Sequence, residues 1–129
     1  MRSAVVLAGC LWAGFSSVAF SNAVPDGWWD QIKLQDINPE IYGETHQIRY
    51  RFIWNSLSVT MEYADLAPGL MRICNEQILP NLGTEQPEMW QIVVSVADQE
   101  TILGDMDPEV AQIFDSFAVV DGSCSWGAF

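Results

Sequence analysis

The sequence predicts an α+β fold, with an antiparallel sheet packed against two helices in a single small domain. Three stretches carry that prediction. Gln91-Ile-Val-Val-Ser-Val-Ala97 crowds aliphatic residues onto consecutive positions, so both of its faces must be covered, as in a central strand. Gln47-Ile-Arg-Tyr-Arg-Phe-Ile-Trp54 alternates, with Ile48, Tyr50, Phe52 and Trp54 on one face and Arg49, Arg51 and Ile53 on the other, as in a half-buried strand. Asp107-Pro-Glu109 has the make-up of a helix start, and Val110, Ile113, Phe114 and Phe117 follow at helical spacing.

The chain has 129 residues, half of them hydrophobic, which suits one domain with its own core. Residues 1–23 are expected to be a secretory signal. Arg2 is followed by an apolar stretch and then by Ser21-Asn-Ala23, a small-x-small cleavage site. The apolar stretch from Ala4 to Phe20 is short for a membrane span and is interrupted by Ser16 and Ser17, so no membrane span is expected after cleavage. Leu7-Ala-Gly-Cys10 has the shape of a lipoprotein box. Lipid anchoring through Cys10 is the weaker reading, because the residues after it stay apolar instead of becoming a polar tether. The expected destination is the periplasm or the medium.

Cleavage after Ala23 removes Cys10 and leaves Cys74 and Cys124, an even pair in an exported domain, which is read as a disulfide. It also removes Arg2. Four cationic side chains then face seventeen acidic ones, a net charge of −13. Such a body repels nucleic acid and anionic headgroups; solubility is the first explanation of the charge, and a basic protein partner is the other.

In chain order, Ile32-Lys-Leu34 is expected to be a first strand, and Asn38-Pro39 and Gly43 a loop before the alternating strand. Asp65 is placed at a helix N-cap, with Pro68 in the first turn. That helix is predicted over 66–79, with Leu66, Leu70, Ile73, Cys74 and Ile78 on its inward stripe and Pro80 as its stop. After the central strand come a short strand at Thr101-Ile-Leu103, a helix over 108–117, and a hairpin turned by Asp121-Gly122 with Cys124 on its second arm. The expected order is β-β-α-β-β-α-β-β.

Candidate site residues are few. Arg49 and Arg51 point to one face, where two guanidiniums can clamp a carboxylate or phosphate, that is, a small anion. Pairing with the many acids explains the same residues structurally. Trp28 and Trp29, near the mature N-terminus, are candidates for an exposed aromatic surface, with core packing as the alternative. His46 is the sole histidine and lacks a nucleophile motif. Asp105-x-Asp107-x-Glu109 invites a calcium reading, but Pro108 and Val110 break the loop pattern, so no metal is expected. Asp98 and Glu100 are the carboxylates that a small periplasmic hydrolase would use as acid or base. Phe129 is expected to pack beside Trp126.

Residues Trp90 to Phe129 carry a further pattern: Ile92-Val-Val-Ser-Val96 followed by Asp98, Gly104, Pro108-Glu109, Gln112-Ile-Phe114, Asp121-Gly122 and Cys124-x-Trp126-x-x-Phe129. With Arg49-x-Arg51-Phe52 and Cys74 upstream, it resembles a family of small exported alphaproteobacterial proteins of uncharacterised function. Some members carry an acetolactate synthase label. That chemistry needs thiamine-diphosphate machinery, which the 106 residues left after cleavage cannot house. The pattern departs at Gln99, where a basic residue is expected. The resemblance implies fold and export, with no cofactor. An exported binding or accessory protein of the cell envelope, without catalytic activity, is the expected function.

Overall fold

The consecutive aliphatic run does become the middle of the sheet. In a computed structural model, which describes residues 23–82, 90–105 and 107–127, five strands lie side by side in sequence order. They are β1 (Lys33–Tyr42), β2 (Thr45–Ile53), β3 (Trp90–Ala97), β4 (Gln112–Val120) and β5 (Ser123–Trp126). On β3, Ile92, Val94 and Val96 are fully buried on one face, and Val93, Ser95 and Ala97 are buried on the other. Each large aliphatic side chain so buried contributes about 1.5–3 kcal/mol.

The predicted antiparallel sheet on two helices is corrected in two respects. The sheet is mixed: β2 and β3 run parallel, while the other neighbouring pairs are antiparallel. Among the described residues the helical layer is one segment of 19 residues, made of α1 (Tyr63–Ile73), a π turn (Cys74–Ile78) and a 3-10 turn (Leu79–Asn81). It supplies the crossover that a parallel pair requires.

The expected helix over 108–117 does not form. Asp107 closes a single turn in which its Oδ1 accepts the Glu109 N–H and its carbonyl accepts the Val110 N–H. The chain then extends into β4, where Ile113, Phe117 and Val119 face the helix and Phe114 faces away. Ile113 and Phe117, four positions apart, share a face in a strand as they do in a helix, and the β-branched and aromatic residues of this stretch favour the strand. Thr101–Leu103 is loop, not strand. Conversely, β1 runs straight through Asn38-Pro39. It is an edge strand, where a proline without N–H costs no ladder bond.

The helix begins earlier than predicted, at Tyr63, with Glu62 in the capping position, so Pro68 lies in its interior. The carbonyl left without a donor is that of Ala64, on the exposed side, where water can serve it. The predicted stripe holds: Leu66, Leu70, Ile73, Cys74 and Ile78 are each at most 1 % exposed. Cys74 is bonded to Cys124 across 6.2 Å between Cα atoms, pinning the helix to β5. Beside that bond, Asn75 Oδ1 accepts the Cys124 N–H at 2.8 Å. The Asp121-Gly122 turn forms as read, with φ of 52° and 79° at its two residues.

Except for Ala23, the expected signal segment lies outside the described residues. So do Cys10, residues 83–89 and Phe129. No described helix is long and apolar enough to cross a membrane.

Candidate functional site

The period of two that turns Tyr50 and Phe52 toward the helix sends Arg49 and Arg51 to the opposite, helix-free face. Cross-strand register builds two rows there, Asp36–Arg51–Ser95–Phe114 and Asn38–Arg49–Val93–Ser116. The two arginines have different surroundings.

Arg51 is 5 % exposed. It donates to Asp36 Oδ2 at 2.8 Å, and to the Thr101 carbonyl and hydroxyl at 2.5 and 2.6 Å. A β-bulge between Leu34 and Asp36 re-aims Gln35, which adds a donation to the Thr101 carbonyl at 2.7 Å. Arg51 and Gln35 therefore fasten the loop after β3 across the face. The guanidinium fork is spent on that task, so Arg51 is a structural clamp.

Arg49 keeps more freedom. Its Nε lies 3.4 Å from Glu40 Oε2, with side-chain exposures of 26 % and 16 %. A long, single ion contact this open to water contributes roughly 0–1 kcal/mol. Glu40 Oε1 accepts from Gln47 at 2.5 Å and from the Tyr42 hydroxyl at 3.3 Å.

Between these groups and the fastened loop lies a cleft of about 520 Å³. Its floor is polar, with Glu40, Arg49, Arg51 and Ser95, and Tyr42, Ile102, Leu103 and Phe114 also line it. Those four are 61 %, 76 %, 45 % and 62 % exposed. Apolar side chains of this size gathered on one face mark an interaction surface.

The remaining candidates lie elsewhere. Trp28 is 1 % exposed and stacked on Trp54, so its ring packs the core and the exposure expected for a binding surface is absent. Trp29 is half-buried, with the Arg72 guanidinium 4.6 Å from its ring centre. His46 pairs in register with Trp90, whereas Asp98 follows Ala97 at the far end of β3, roughly 25 Å away along the strand. No described cleft gathers His46 with Asp98 or Glu100. Asp105, Asp107 and Glu109 are exposed, and no three potential metal ligands cluster among the described residues.

Sequence reading missed Thr101 and Gln35, because their contacts with each other and with Arg51 join residues far apart in the chain. It also missed Tyr42 and Phe114, the first because β1 is longer than predicted and the second because it was placed on a helix. On the helix side of the sheet, the Tyr63 hydroxyl donates to the Asp115 carboxylate. That bond, with smaller contributions from burial and the nearby charge, pushes the phenol up to about 12.

Fold and cleft define a small two-layer domain, helix on one side of a mixed sheet and a cleft-bearing face on the other. Residues 8–129 match a family of unknown function (DUF6497), and the chain belongs to that family. No curated protein and no solved structure matches the chain.

Proposed function

We propose that the protein is a non-enzymatic binding or accessory protein exported to the cell envelope, and that it engages its partner through the cleft on the helix-free face. The observation that carries this reading is the ring of four exposed apolar side chains around a polar floor. Neither Asp98 nor Glu100 lines any of the three described clefts, which weighs against the hydrolase alternative, since it needs its acid and base within reach of one bound substrate atom. The Cys74–Cys124 bond supports export, since such bonds persist in oxidising compartments. The signal-like residues 1–23 point the same way.

The test is a pull-down from envelope extract with wild type and a Tyr42→Ala, Phe114→Ala double variant. Wild type is expected to retain a partner that the variant loses. Retention of the same partner by both would move the binding surface elsewhere, and turnover of a wall or ester substrate by the wild type would replace binding with catalysis.

A further inference from the structure

The chemistry of the cleft also narrows what occupies it, given the reading of this face as the binding surface. The first consideration is size. From β1 to β4 the face spans three strand spacings, about 14 Å. That admits one helix of about 10 Å diameter or one extended strand. The occupant is therefore a segment of a partner and not a folded domain.

The second consideration is charge. The chain carries a net charge of −12. Among the described residues, three of the four Lys and Arg side chains are already held in ion pairs, Arg49 by Glu40, Arg51 by Asp36 and Arg72 by Glu76. An approaching partner therefore meets a negative field, which accelerates cations and slows anions. Within the cleft, an anion on Arg49 and a cation on Glu40 would each break the same single 3.4 Å contact between the two, so the surrounding negative field decides in favour of the cation. Gln47 and Tyr42 would then hold the carboxylate in place without neutralising it.

We infer that the cleft docks a basic segment of a partner protein, with apolar side chains seated against Leu103 and Phe114 and a Lys or Arg side chain on Glu40 in place of Arg49. Apolar anchors supply the affinity, and the charge supplies steering and choice of partner.

Amide chemical-shift mapping of the purified protein with two synthetic peptides, one of alternating Lys and Leu and one of alternating Glu and Leu, tests this. The Lys-Leu peptide is expected to shift Tyr42, Thr101 to Asp105 and Phe114, and to bind about tenfold or more tightly than its acidic counterpart, less so as salt is raised. Glu40→Gln and Phe114→Ala are each expected to weaken it about tenfold while leaving the remaining spectrum in place. Equal binding of the Glu-Leu peptide in the cleft would overturn the basic partner yet leave the binding surface standing. Unchanged affinity in Glu40→Gln, or shifts centred on Asp107 and Glu109, would overturn the inference as well. If neither peptide shifts the cleft and the Tyr42→Ala, Phe114→Ala protein keeps its envelope partner, the binding surface fails along with its occupant.

Discussion

Gly69 lies flush against the indole of Trp28: a Cβ added there would stand 2.5 Å from Trp28 Cε2, Cζ2 and Nε1. The ring has no room to retreat, because its other neighbours include Trp54, stacked at 4.8 Å. In an ordinary helix interior, Gly→Ala stabilises by roughly 0.5–1 kcal/mol. Here overpacking reverses the sign, and Gly69→Ala is expected to lower stability by about 1–3 kcal/mol in denaturant titration. A gain in stability would mean that the indole does not pack on the helix at this point.

Arg51→Ala removes the group that fastens Thr101 and faces Asp36. Loss of its charged hydrogen bonds is expected to cost about 2–3 kcal/mol. Arg51→Lys should recover little, because one ammonium cannot reproduce a fork that spans two residues. Amide exchange at Thr101, Ile102 and Leu103 should rise in both variants. If exchange there is unchanged, the clamp does not hold the loop.

The bond from Cys74 to Cys124 closes a loop of fifty residues. In the chain-entropy account such a loop contributes about 4 kcal/mol, a large share of a small domain's stability. The oxidised protein should weigh two hydrogens less than the reduced one, and reduction or paired Cys→Ser substitution should lower the denaturation midpoint steeply. Two freely alkylated thiols in native protein would contradict the bond.

Tyr63 gives a pH signature. Its folded pKa stands at about 12, above the ordinary 10.0, chiefly through the hydrogen bond to Asp115, so the folded state holds the phenolic proton more tightly. The stabilisation is therefore full below pH 10 and is lost as pH rises toward about 12. Ultraviolet difference titration between wild type and Tyr63→Phe should show one tyrosinate with a midpoint near 12, and Asp115→Asn should bring that midpoint down. A midpoint near 10 in the wild type would rule out the hydrogen bond in solution.

Much of the sheet and little of the cleft could be read from the sequence. The aliphatic run at Ile92–Val96, the alternation at Ile48–Phe52 and the Asp121-Gly122 turn are local signals, and each produced the element it implied. The inward stripe ending in Cys74 and Ile78 did the same for the helix. Phe114 went wrong because Ile113 and Phe117, four positions apart, share a face in a helix and in a strand alike, and only pairing with the neighbouring strand β3 decides between them, sending Phe114 to the opposite face. The direction of Arg49 and Arg51 followed from periodicity. Their different employment did not, because Thr101 lies fifty residues beyond Arg51 and reaches it only through the path of the loop.

The hydrogen bond between Asn75 and Cys124 has a consequence beyond holding the helix to the last strand. β5 is an outer strand, and its backbone donors are the template on which a foreign strand could grow the sheet. Asn75 already occupies the Cys124 donor. The disulfide at that same residue keeps the helix end standing over the margin. A passing strand would therefore have to displace a side chain anchored by a covalent bond one residue away. The cysteine pair thus guards the flank of the sheet against runaway association as well as stabilising the chain.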